Sequence, residues 1–391
     1  MRSAHVALLA VGIFSVLSLE SLAQQRPSGG TPVGGLTPAQ QLAFREGSLT
    51  FAKRYTIADG LGPVFNDDAC SDCHQNGGGS NRRVSRFGRV DRIGAFDSLA
   101  QLGGSLIQSR GIGSITTADG THEFVGERVP AEATVTAQRR SQPLLGLGFV
   151  DAVPDDAWRA IARAEREADP STAGRVHMVR LTSGGVAVGK FGWKAQVATL
   201  MEFAGDALLN ELGITNPLFR DESCPQGDCL ALDFNPTPAM NDDGRDVEAL
   251  NDFMTMLASP ARGPITDEAI DGEQVFMELG CAHCHTPTLR TGPSAVSALN
   301  RVDFHPFSDF LLHDMGPLGD GIVQGQATGR EMRTQPLWGL RTANRFMHDG
   351  ATRTIEDAIR RHGGQAQAAR DRFVALDGDR LSHLLAFLRS L

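Results

Sequence analysis

Two pentapeptides constrain this chain more than anything else in it: Cys70-Ser71-Asp72-Cys73-His74 and Cys281-Ala282-His283-Cys284-His285, each of the form C-x-x-C-H. Two thiols at that spacing can bond the vinyl groups of a porphyrin, and the adjoining imidazole is then carried beneath the iron. The reading is two covalent c-type haems, held by Cys70, Cys73, Cys281 and Cys284, with His74 and His285 as iron ligands. A shared zinc site explains the pairs poorly, because they lie about 200 residues apart and zinc knuckles are separated by roughly 15–20. A redox-active dithiol explains the cysteine spacing but leaves both following histidines without a role. Aromatic residues make up only 6% of the chain, with Tyr55 the single tyrosine, so bound porphyrin would supply part of the apolar surface a core needs.

The expectation of thioether chemistry agrees with the start of the chain. Arg2, the apolar run from Val6 to Leu19 and the small residues around Ser21-Leu22-Ala23 read as a secretory signal peptide over 1–23. That run is too short to span a bilayer, and no other long apolar run follows, so the mature chain is expected to be periplasmic or otherwise exported, without a membrane span. The formal charge of −9 gives nucleic acid no basic footprint. Cys224 and Cys229 flank Pro225 and Gly227, which favours a turn closed by a structural disulfide in an oxidising compartment.

The chain also reads as a duplication. Gly47-x-x-x-Phe51 and Gly272-x-x-x-Phe276 precede the two haem motifs. Arg140-Ser141-Gln142-Pro143-Leu144-Leu145-Gly146-Leu147 and Arg333-Thr334-Gln335-Pro336-Leu337-Trp338-Gly339-Leu340 follow them, identical at six of eight positions. The expected fold is mainly α, with two tandem cytochrome c-like helical domains and a loop-rich middle segment. The boundaries are an N-terminal haem domain over 24–160, a connecting helical segment with the Cys224/Cys229 pair over 161–260, and a C-terminal haem domain over 261–391. Within the middle, 155–167 and 197–212 carry helical apolar stripes, and 184–192 is glycine-rich and β-branched.

The halves differ where a second axial ligand is needed. Met332 and Met315 are the candidates for the iron above His285, whereas the position matching Met332 in the first half is Arg139. An arginine cannot bind ferric iron, so the first haem is expected to be open and the second closed.

Further strings carry a family resemblance: Gly60-Leu61-Gly62-Pro63-Val64-Phe65-Asn66, Phe191-Gly192-Trp193-Lys194-Ala195, Gly213-Ile214-Thr215-Asn216-Pro217-Leu218-Phe219, Leu312-His313-Asp314-Met315-Gly316, Met347-His348-Asp349-Gly350 and His362-Gly363-Gly364. Over nearly the whole mature length the chain resembles the bacterial di-haem oxidoreductases related to di-haem cytochrome c peroxidases. The resemblance implies a helical di-haem fold, peroxidase-like chemistry at the N-terminal haem, and electron delivery from the C-terminal one. A redox partner such as a small cytochrome or cupredoxin is implied with it. Family members often carry an Asp/Gly-rich, calcium-like stretch near Ala168–Arg175, and it is reduced here. Arg139, Asp151 and Trp193 are the candidate catalytic residues: a cation for bound peroxide, a proton-moving acid and an electron relay. The alternative is a plain electron carrier with both irons six-coordinate.

Overall fold

The computed structural model describes residues 30–391; the expected signal peptide lies outside them. Nine α-helices of five residues or more run through the described residues: α1 Pro38–Ala52, α2 Leu147–Asp151, α3 Asp155–Ala168, α4 Leu200–Leu212, α5 Arg245–Met256, α6 Asp267–Glu278, α7 Ile355–Arg360, α8 Gln367–Val374 and α9 Gly378–Ser390. Thr37 opens α1 with a capping box to Gln40, Thr266 caps α6 through Ala269, and Asp377 caps α9 through Arg380. Each satisfies amide groups that the first helical turn would otherwise leave unpaired.

The two Gly-x-x-x-Phe strings do the same job twice. A Cβ at Gly47 would fall 2.2 Å from the Ala249 carbonyl oxygen of α5, and one at Gly272 would fall 1.9 Å from the His383 carbonyl oxygen of α9. α1 therefore crosses α5, and α6 crosses α9, at a contact only glycine allows. Beside each crossing an aromatic pair packs: Phe51 on Phe253 at 4.9 Å and Phe276 on Phe387 at 5.2 Å between ring centroids. Each phenylalanine in turn faces a motif histidine, Phe51 at 6.5 Å from His74 and Phe276 at 6.4 Å from His285. Overpacking such a contact costs about 1–3 kcal/mol, so Gly272→Val is expected to destabilise the chain by that much, seen as a lower urea midpoint. Gly378→Ala, at a position with open space around it, should leave the midpoint unchanged.

The expectation of a mainly α chain is corrected in part, because among the described residues six small antiparallel sheets accompany the helices. Arg83–Val90 pairs with both Phe96–Asp97 and Val135–Arg140, and Gly113–Thr117 turns back as Gly120–Phe124. These stretches alternate β-branched and polar residues between glycines and lack the 3.6-residue stripe a helix requires. One apolar core gathers Phe44 and Phe51 of α1, Trp158 of α3, Leu200 and Leu208 of α4 and Phe253 of α5. A second joins Phe276 of α6, Phe373 of α8 and Leu384 and Phe387 of α9. Two helices of the middle segment thus build the same core as α1.

Candidate functional site

Both C-x-x-C-H motifs open into one cavity of about 580 Å³. The local structure aims the two histidines alike. His74 ends the short helical turn Cys70–Cys73, and its Nδ1 lies 2.8 Å from the carbonyl oxygen of Gln142; His285 Nδ1 lies 3.0 Å from that of Phe307. A carbonyl can only accept, so Nδ1 carries the proton and Nε2 is left as the lone-pair nitrogen. This is how a metal-binding histidine is oriented. Burial pushes both imidazoles down to about 4, so both are neutral at ordinary pH.

Burial pushes the thiols of Cys70, Cys73 and Cys281 up to about 12. Such groups are poor thiolates, which weakens the dithiol alternative. Cys224 and Cys229 are joined in a disulfide, as expected. The rest of the lining fits an apolar disc with anionic edges. Leucine, phenylalanine and alanine side chains form its walls, while Arg86, Arg139 and Arg140 each keep one guanidinium N–H without a partner. Buried donors of this kind need acceptors, and carboxylate groups on a porphyrin rim would provide them.

The duplicated strings meet between the motifs. The Gln142 side chain donates to that of its counterpart Gln335 at 2.7 Å. Trp193 lies across both strings: its Nε1 donates to the Arg140 carbonyl at 3.0 Å, and its own carbonyl accepts from the Arg333 amide at 2.9 Å. Its ring meets His348 edge-on, 6.2 Å between centroids. Trp193 and Trp338 both line the cavity.

Arg139 lines the cavity as well, but its Nε donates to Asp320 at 2.6 Å. Lys194 Nζ joins the same carboxylate at 3.1 Å and also donates to the Thr328 carbonyl at 2.9 Å. Lys194 is fully buried, and burial pushes its ammonium down to about 8, which still leaves it charged at neutral pH. Asp151 does not line the cavity; its carboxylate sits 3.7 Å from Lys190. Met315 and Met332 both line the C-terminal end. In the Ala168–Arg175 stretch the Asp169 carboxylate is taken up by Ser171 and Thr172, and the side-chain groups able to hold a metal among the described residues do not include it.

Sequence reasoning missed three cavity residues. Asp206 and Glu211, on the α4 face that also carries Phe203 and Ala207, line the N-terminal end. Burial raises both carboxyls, opposed at Asp206 first by Arg86 and at Glu211 by the Asn66 side chain, which donates to Oε2 at 2.9 Å. Two acids set into a stripe otherwise apolar at helical spacing were the available signal. The third residue, His362, lines the C-terminal end.

Among the described residues no helix is long and apolar enough to cross a membrane. No curated protein matches the sequence. The chain is similar in structure to the diheme peroxidase BthA from Burkholderia thailandensis (TM-score 0.42, 16% identity, 92% of this chain and 87% of that one). It is likewise similar to Kuenenia stuttgartiensis hydrazine synthase (TM-score 0.41, 13% identity, 100% and 98%) and to a MauG-like protein associated with microbial copper homeostasis (TM-score 0.39, 16% identity, 94% and 93%). Residues 119–391 match the family described as "Di-haem oxidoreductase, putative peroxidase", a span that includes Cys281–His285 and begins beyond Cys70–His74. The chain belongs to this di-haem oxidoreductase family.

Proposed function

We propose that the chain is an exported di-haem c-type cytochrome enzyme that reduces peroxide at its N-terminal haem with electrons delivered through its C-terminal one. The observation that carries this is the single cavity into which both motifs open, with each histidine's Nε2 left free. When bound, haem at these motifs supplies the redox chemistry. Cys70, Cys73, Cys281 and Cys284 would anchor it, and His74 and His285 would hold the irons.

The chain's own residues divide the remaining work. Glu211 moves a proton at the N-terminal end, where one of its oxygens is fixed by Asn66 and burial raises its carboxyl above the usual carboxylate range. Arg139 and Arg140 offer unpaired N–H groups to porphyrin carboxylates. Trp193, tied to both duplicated strings, provides an aromatic path between the two ends. The N-terminal wall on α4 presents neither methionine nor histidine, while the C-terminal end presents Met315, Met332 and His362. A haem held at the second motif would thus have a further side-chain ligand to hand, and one held at the first would find none on α4. The electron donor would be a small cytochrome or cupredoxin.

The test is the full chain expressed with haem-maturation machinery. Denatured protein should keep its haem colour and show the added mass of two haems, and Cys70→Ala with Cys73→Ala should lose one of them. Cyanide or peroxide should perturb one iron only. Colourless mature protein would overturn the assignment, and wholly low-spin protein inert to peroxide would favour the electron-carrier alternative.

A further inference from the structure

We infer that His362, rather than Met332 or Met315, is the second axial ligand of the C-terminal haem iron, which makes that iron bis-histidine. The inference rests on the di-haem reading above and deepens it.

α7 walls the C-terminal end of the cavity with one face. Ile355, Ala358, Ile359 and His362 all line it, at positions i, i+3, i+4 and i+7. The apolar stripe that would lie against a porphyrin thus ends in an imidazole. On the His285 side stand Phe276 of α6 and Leu384 and Leu388 of α9.

His362 is built like the two motif histidines. Its Nδ1 lies 2.9 Å from the Ala358 carbonyl oxygen, so Nδ1 is the protonated nitrogen, and no described residue bonds Nε2. Its backbone is pinned on both sides. The amide donates to the Ile359 carbonyl at 3.0 Å, and the His362 carbonyl accepts from Arg370 at 3.1 Å. Arg361, the preceding residue, is locked to Asp349 by two hydrogen bonds. Of the other buried histidines at or near the cavity, His348 stands edge-on to Trp193, beside the first repeated string, where its carbonyl accepts from the Arg140 amide, and two more have both ring nitrogens spent. His313 has Nε2 on Asp309 at 2.8 Å and Nδ1 near the Thr172 carbonyl at 3.1 Å. His177 uses both nitrogens, on the Lys194 carbonyl and the Gln326 amide.

Met332 and Met315 are satisfied as apolar lining, and a thioether on three rotatable bonds has no comparable fixation. A ring nitrogen without a partner among the described residues, on a side chain that lines the largely apolar cavity, is a polar group in want of one, and iron would supply it.

The test is ligand-sensitive spectroscopy of the purified holoprotein with its two haems counted by mass. Near-infrared magnetic circular dichroism should report bis-imidazole ligation and no thioether charge-transfer band. Met332→Leu and Met315→Leu should leave that signature unchanged. His362→Ala should turn the C-terminal iron high-spin, with low-spin character restored by added imidazole. His362→Met should introduce the thioether band and raise the potential of that haem, since Met/His ligation favours the reduced iron. A thioether band in the wild type that Met332→Leu or Met315→Leu abolishes would overturn the inference and leave the di-haem reading standing. Fewer than two covalent haems would overturn both. The wild-type spectrum decides the matter even if a His362 variant fails to fold.

Discussion

Asp320→Ala should destabilise the protein by about 3–5 kcal/mol, seen as a lower urea midpoint for the full chain. The Asp320 side chain is 1% exposed and answers two cations, Arg139 at 3% and Lys194 at 0%. Taking the carboxylate away leaves both uncompensated in a site that excludes water. The cost then comes less from the bonds lost than from the stranded charges. Asp320→Leu combined with Lys194→Met should recover part of the loss, because only Arg139 is then left without its counter-charge. The pH dependence follows from the same cluster. Burial alone would raise the Asp320 carboxyl, but Arg139 and Lys194 hold it below the usual carboxylate range. Its contribution is therefore present above the unfolded value of about 4 and is lost as pH falls through the lower folded value. An acid-unfolding transition that Asp320→Asn leaves in place would count against this account.

That cluster also shows where sequence reading stops. Arg139 stands out in the sequence as the position matching Met332, and in the structure it lines the cavity, but its ion pair is with Asp320, 181 residues away, and no local pattern announces such a pairing. The two C-x-x-C-H motifs stand out in the sequence because the attachment chemistry they suggest demands a fixed spacing within five residues. The Gly-x-x-x-Phe repeats were legible for a similar reason, since a helix crossing writes itself as a small residue one turn from a large one.

Asp151 was chosen for its place after a repeated string, and chain order does not say which way a side chain points. In the structure it turns to Lys190. The small sheets over 83–140 were missed because short, half-exposed strands carry little periodicity, and pairing partners such as Arg83 and Arg140 lie far apart in sequence. His362 was legible only as part of the His362-Gly363-Gly364 string, with no role attached. Its i+7 relation to Ile355 becomes informative once α7 is known to face the cavity.

Glu211→Gln should slow reaction with peroxide by about 10²–10⁴-fold, the usual worth of a positioned acid–base group, while both haems remain bound. The amide keeps the size of the side chain and can still pair with Asn66, so the wall of α4 is preserved and only proton transfer is removed. The pH profile separates this from a packing defect. Burial keeps the Glu211 proton on to higher pH than an ordinary glutamate would hold it. If its carboxylate takes the first proton from peroxide, the wild-type rate rises as pH passes upward through that raised value. In Glu211→Gln the rise disappears. Asp151→Asn, altered outside the cavity, should keep both the rate and the profile. A Glu211→Gln protein that reacts at the wild-type rate with the same pH dependence would remove Glu211 from the proton path and direct attention to Asp206, the other carboxyl on that face of α4.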